Sequence, residues 1–296
     1  MIGALWSLAA GIGFGVFQAF NRQAVRGMDV FVSTFLQLFV SAILLVSISL
    51  ITQDVQALLV ANWLTWLNFS LAGFFHFLIG WTFLNASQKR IGAARTSSLI
   101  GTTPLFSGAV AALTLSEFPT WLTVLGIFII VGGVYLVNSA KLGNNAPGVE
   151  VHGLRSVWQG LAAAICWSIS PIFIRWGLAE LPSPILGVTV GITASAIVYG
   201  VILLIRRVQG FSVTMIMDAT TIKIIAAILV GLSTWARWIA LDLTQVAIVL
   251  ALSLVSVPVV NWLSPLVSGR DVENVTLQIW MGSGLIIIGS LILILF

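Results

Sequence analysis

Ten times along the chain an apolar run of about 20 residues recurs, long enough at 1.5 Å per helical residue to cross the roughly 30 Å of bilayer hydrocarbon. The runs fall near residues 2–21, 30–51, 62–86, 93–115 and 120–140, then 156–175, 184–205, 222–241, 246–267 and 275–296. Inside hydrocarbon every backbone amide must find its partner within the protein, so irregular chain cannot fill these stretches. The pattern predicts an all-α membrane protein with ten transmembrane helices. Composition agrees: 59% of residues are hydrophobic and 7% charged, with a mean hydropathy of +1.11, whereas a soluble domain carries about 25% charge. Most connections are short and carry turn formers, as in Arg26-Gly27-Met28-Asp29, Glu117-Phe118-Pro119 and Leu181-Pro182-Ser183-Pro184, which makes neighbouring spans antiparallel. The first run lacks the basic start and small-residue cleavage site of a signal peptide, so it is expected to remain as a span.

The chain also echoes itself. GAARTSSLIGTTPLFSGAVAALTLSE at residues 92–117 returns 154 positions later as VAIVLALSLVSVPVVNWLSPLVSGRD at residues 246–271. At that offset Pro104 falls on Pro258, Ala93 on Ala247, Glu117 on Asp271, Trp81 on Trp235 and Ala86 on Ala240. At 153, Phe14, Gly15 and Arg22 meet Trp167, Ser168 and Arg175. The one stretch resembling a linker, residues 138–155, is rich in Gly and Asn and leaves five runs on each side. This gives a first repeat over residues 1–140, a linker at 141–155 and a second repeat over 156–296. Because five is odd, the second half enters the membrane in the opposite sense, an inverted repeat of the kind found in secondary transporters.

Charge placement bears on orientation and on partners. Connections after the odd-numbered spans, with the adjoining span ends, hold Arg22, Arg26, Lys89, Arg90, Arg95, Lys141, Arg155, Arg206, Arg207, Lys223 and Arg270, and the other side holds only Arg175. The positive-inside rule puts the eleven in the cytoplasm and both termini outside a cytoplasmic membrane, expected to be prokaryotic. No basic cluster is large enough to track a phosphate backbone, so nucleic acid is not an expected partner. The one cysteine, Cys166, lies in an apolar run and reads as a packing thiol, with no disulfide and no metal site.

Ten spans in two halves, each with a Pro-containing fourth span that ends in an acid and a Gly-rich fifth, resemble the drug/metabolite transporter superfamily, EamA-type. The matching segments are TPLFSGAVAALTLSEFPTW with LGIFIIVGGVYLV, and VPVVNWLSPLVSGRDVENV with MGSGLIIIGSLIL. The resemblance implies a ten-helix transporter whose spans 1, 3, 4, 6, 8 and 9 surround a central cavity. Two departures stand out. Asp271 follows Arg270 where the family usually has glycine and glutamate, and the family's N-terminus is usually cytoplasmic, contrary to the charge count.

Polar groups within apolar runs point to the chemistry, because an ionisable side chain at membrane depth is costly and normally faces a cavity or a partner. All nine acids lie in connections or at span ends. That departs from the membrane-embedded acid on which small multidrug exporters of the same superfamily rely for proton exchange. His76, in LAGFFHFLIGW, reads either as a proton relay or substrate contact, or as a neutral histidine bonded to a neighbouring helix. Arg237, between Trp235 and Trp238, reads either as a binder of an anionic or carboxylate substrate, or as a partner of Asp242 that snorkels to the surface. Gly11 and Gly15 form a small-xxx-small pair suited to helix packing. Gln18 has no such packing role, and span 6 brings Ser168, Ser170 and Pro171 to the corresponding depth. Other hydroxyls, such as Ser97, Thr103 and Ser253, read first as bonds back to their own helix. Spans 2, 5, 7 and 10 read as lipid-facing. With span 1 placed against span 6 and span 3 against span 8, the expected substrate-binding set is Gln18, His76, Trp81, Trp167, Ser170, Trp235 and Arg237.

The resulting expectation is a secondary transporter of small organic metabolites, amino acids or related amphipathic solutes, acting without a cofactor as a monomer or weak homodimer. A structural membrane subunit is the rival reading. An intramembrane hydrolase is a weaker one, since the chain has neither a Gly-x-Ser-x-Gly elbow nor a Walker loop.

Overall fold

A computed structural model describes residues 1–139, 154–210, 217–268 and 276–295. Among them every regular element is helical. The main helices are α1 (Ile2–Arg26), α2 (Val30–Thr52), α3 (Trp63–Ile91), α4 (Ala93–Ile100 and Thr103–Leu115), α5 (Trp121–Ser139), α6 (Leu154–Glu180), α7 (Pro184–Val208), α8 (Met217–Leu243), α9 (Val246–Val267) and α10 (Leu277–Leu295). Seven of them, α1, α2, α3, α6, α7, α8 and α9, are long and apolar enough to cross a membrane, and the apolar stretches of α4, α5 and α10 are shorter. Most of the linker, with Lys141 and Glu150, lies outside the described residues, as do Arg270, Asp271 and Glu273.

Local chemistry sets the helix ends. Asp29 begins α2 by accepting from the amides of Phe31 and Val32 at 2.9 and 3.3 Å, the N-cap bond that a carboxylate makes to otherwise unpaired first-turn donors. Pro184 sits in the first turn of α7, where its missing N–H costs nothing. Gly92 stops α3 with φ +91°, a conformation that L side chains rarely adopt. The break in α4 follows from Pro104, which has no N–H for the Ile100 carbonyl. Thr103 Oγ1 donates to that carbonyl at 2.6 Å instead. At the matching offset in α9, before Pro258, residues Ser253–Val255 tighten into a 3-10 turn.

Small residues decide which helices meet. A Cβ added at Gly11 would lie 2.8 Å from the Ser253 carbonyl oxygen, and one at Gly15 would lie 2.6 Å from Val259, so this pair seats α1 on α9 as its spacing predicts. Gly13 faces Ser233 of α8, and Gly177 of α6 receives the Phe69 ring of α3. A Cβ at Gly73 would meet the backbone of Gly191, so α3 and α7 cross almost in backbone contact. The sequence-based pairing of span 1 with span 6 and span 3 with span 8 is therefore corrected. The principal partner of α1 is α8, and that of α3 is α6. The other main contacts are α1–α9 with α6–α4, α2–α8 with α7–α3, and the pairs α2–α7 and α5–α10, a set that maps onto itself when the halves are exchanged. Only 39% of the apolar window of α2 and of α7 is buried, against 67% for α9, which leaves broad faces of α2 and α7 for lipid.

Candidate functional site

A small cavity of about 30 Å³ lies between α1, α4, α6, α8 and α9, room for about two waters. Phe14, Phe17 and Gln18 of α1 form one wall, Ile100 and Thr103 of α4 another, and Trp167 of α6 a third. Arg237 of α8 and Ser253, Leu254 and Ser256 of α9 close it. Gln18, Trp167 and Arg237 thus meet as the sequence reading expected.

The other expected residues lie elsewhere. Trp167 Nε1 donates to the His76 carbonyl at 3.0 Å, and the His76 ring stacks on Trp167 with centroids 5.4 Å apart. His76 Nδ1 and Ser170 Oγ are 3.1 Å apart. His76 and Ser170 therefore back the Trp167 wall rather than line the cavity. His76 sits in a π-helical segment of α3, Phe74–Gly80, an irregularity often found at functional sites. Gly80, at the end of that segment, leaves space for the Trp167 indole. Trp81 is fully buried against Phe77 and near His76, and Trp235 packs at the edge of the hydrophobic core.

Arg237 neither pairs with Asp242 nor snorkels. It is 7% exposed, its Cζ lies 4.1 Å from the centroid of the Phe14 ring, and its Nε has no hydrogen-bond partner among the described residues. The Asp242 carbonyl is taken by Arg175 Nη1 at 3.2 Å.

Polar clusters flank the cavity on both sides. Along α8, Lys223 lies 14 residues to one side of Arg237, about 21 Å of helix, and Leu241 lies four residues to the other. At the Leu241 end, Arg175 Nη1 donates to the Leu241 carbonyl at 2.7 Å and its Nη2 lies 3.0 Å from Glu117 Oε1. Glu117 Oε2 in turn accepts from the Val246 amide at 2.8 Å. These contacts tie the ends of α4, α6 and α8 to the start of α9. At the opposite end, Gln88 Nε2 donates to Gln18 Oε1 at 3.3 Å, and Asn21 Nδ2 donates to Gln88 Oε1 and Asn85 Oδ1 at 2.7 and 2.8 Å. Lys223 Nζ donates to Asn21 Oδ1 and to Gln37 Oε1, the latter at 2.6 Å. Arg22 Nη1 donates to the carbonyls of Gln88 and Lys89, just as Arg175 does to carbonyls 153 positions further on.

Two basic residues thus leave the places the sequence reading gave them. Lys223 is 0% exposed within the bundle rather than in a cytoplasmic connection, because α8 begins at Met217, ahead of the apolar run, and carries its second turn inward. Arg22 is buried as well. The network of Asn21, Gln37, Asn85, Gln88 and Lys223 was missed. The available signal was the presence of four amides at or within otherwise apolar runs.

Helices of transmembrane length around a buried polar interior make this an integral multi-pass membrane protein. More particularly, residues 1–139, just under half of the chain, match the EamA-like transporter family, a family of the drug/metabolite transporter superfamily. A solved structure, described only as the crystal structure of a protein, is similar over 96% of this chain and 95% of its own, at 18% identity and a TM-score of 0.71. That likeness is one of fold. No curated protein matches the chain.

Proposed function

We infer that the protein is a secondary transporter of small organic solutes, amino acids or related amphipathic compounds, moved by alternating access around the cavity at Gln18, Trp167 and Arg237. One observation carries the reading: a cavity walled by helices of both halves is flanked on each side by a polar cluster and lined by a buried arginine whose Nε has no hydrogen-bond partner among the described residues. A scaffold needs neither. The ten-span inverted repeat, with halves at 1–140 and 156–296, draws support from the contact pattern that survives exchange of the halves, and from the equivalent roles of Arg22 and Arg175. Rocking one half against the other would break one cluster while keeping its counterpart, and so open one end at a time.

The test is counterflow. Purified protein is screened for solutes that raise its melting temperature, then reconstituted into vesicles loaded with the best of them. Labelled solute should exchange across the vesicle wall. Gln18→Ala, losing one hydrogen-bonding amide worth about 1 kcal/mol, should weaken apparent affinity roughly fivefold. Binding without counterflow contradicts transport.

The remaining basic bias, without Arg22 and Lys223, still favours cytoplasmic odd-numbered connections and external termini. A cysteine placed within residues 141–153 should escape an impermeant thiol reagent in intact cells. Labelling there from outside reverses the orientation.

A further inference from the structure

The interior around the cavity carries positive charge with no acid to balance it among the described residues. Arg237 presents a buried guanidinium with five possible donors, yet its Nε has no hydrogen-bond partner among the described residues, and its Cζ lies over the Phe14 ring. Lys223, close to four helical turns away and so on much the same face of α8, is held only by neutral amides, Asn21, Gln37 and Asn85. The bonds from Lys223 through Asn21 and Gln88 to Gln18 lead to the cavity wall. The described acids are placed otherwise. Asp29 caps the start of α2, Asp54 accepts from the Gln56 amide, Glu117 pairs with Arg175, Glu180 accepts from Thr65, and Asp218 and Asp242 lie at the two ends of α8. A buried charge left without a counter-charge is strongly unfavourable, so a ligand that brings an anion is favoured here.

We propose that the solute taken by this cavity is an organic anion, a small carboxylate with an apolar body and no amine. The inference rests on the transport reading only for its choice of cavity. The carboxylate pairs with Arg237, for which a planar two-nitrogen fork is the natural match. The apolar body lies against Phe17, Trp167 and Leu250. An amino acid fits less well, because its ammonium would face a cation and no anion. Gln18 Oε1 already accepts from Gln88, while the Thr103 and Ser253 hydroxyls donate to carbonyls of their own helices. The cavity in its closed form has space for little beyond the carboxylate itself, so the body enters as one end opens. The substrate class of the transport reading thereby narrows from amphipathic metabolites to organic anions.

The experiment compares solutes of one skeleton that differ in charge. Full-length protein in lipid nanodiscs is titrated with acetate, 3-methylbutanoate and 3-phenylpropanoate, and with the matching amides, amines and amino acids, by calorimetry and by melting shift. At least one carboxylate should bind, with its amide and its amino acid each weaker by about tenfold or more. Arg237→Gln should abolish the preference for acid over amide, and Arg237→Lys should retain part of it. An amide or amino acid that binds the native protein as tightly as its acid overturns the proposal. So does the absence of any carboxylate binding up to about 10 mM, or a preference that survives in folded Arg237→Gln. Vesicle uptake separates the two readings. A carboxylate that binds through Arg237 but is not taken up refutes transport and leaves the anion site standing. A neutral or zwitterionic solute that is taken up while no acid binds does the reverse.

Discussion

Asn21→Leu should destabilise the protein by about 3–5 kcal/mol, the usual cost of leaving a buried charge without its partners. Asn21 accepts from Lys223 and donates to both Asn85 and Gln88, so the change strips one of the acceptors that hold the ammonium and frees two amide oxygens. Lys223→Met is expected to be much milder, about 1 kcal/mol. Methionine fills similar space without charge, the oxygens of Asn85 and Gln37 keep donors in Asn21 and Asn85, and the Asn21 oxygen alone loses its donor. The diagnostic variant is the double one. Because the penalty in Asn21→Leu lies with the stranded cation, adding Lys223→Met should recover about 2 kcal/mol, a coupling well above what independent sites show. Melting temperatures of the four proteins in one detergent measure it. Additive losses would mean that Lys223 does not depend on Asn21.

Trp167→Ala should also cost about 3–5 kcal/mol, in the range for truncating a large buried aromatic. Lipid tails provide no hydrophobic drive between helices, so close packing and interhelical hydrogen bonds carry much of the association. Trp167 supplies both, stacked on His76 and donating to the His76 carbonyl, at a point where Gly80 allows α3 to approach. Trp167→Phe keeps most of the ring contact and gives up the indole bond, so about 1 kcal/mol is expected. This conservative variant is the one in which to measure solute binding, since the alanine variant mixes a binding loss with a packing loss. A Trp167→Ala protein that melts with the parent would show that the indole serves the solute alone.

The apolar runs were legible because spanning length and hydropathy follow directly from bilayer thickness; all of them fall on helical chain, with seven long and apolar enough to cross a membrane. The packing role of Gly11 and Gly15 was legible for a similar reason, since close helix approach needs small residues at that spacing. What failed was anything that depends on which faces meet. The internal echo relates one half to the other but does not say that α1 lies along α8, and the wrong pairing drew Trp81 and Trp235 into the expected site. Lys223 was lost because a lysine at the start of an apolar run reads as a surface anchor unless the helix is known to begin earlier. Asn21, Gln37, Asn85 and Gln88 were each unremarkable alone; only the tertiary fold brings them onto one lysine. Arg237, Gln18 and Trp167 stood out because polar groups deep in apolar helices call for a partner, and the structure places all three on one cavity.

The central claim, that this cavity opens in turn to each side of the membrane, is most directly tested with a single reporter cysteine. Cys166 is the chain's one cysteine, so Cys166→Ser provides the background, and Ser256→Cys places a thiol on the cavity wall with little change in size. An impermeant thiol reagent is applied to right-side-out and to inverted vesicles in separate samples. The account predicts labelling from both sides, with a bound solute changing the two rates. Labelling from one side only, whatever the solute, or from neither side while the protein still catalyses counterflow, would contradict it.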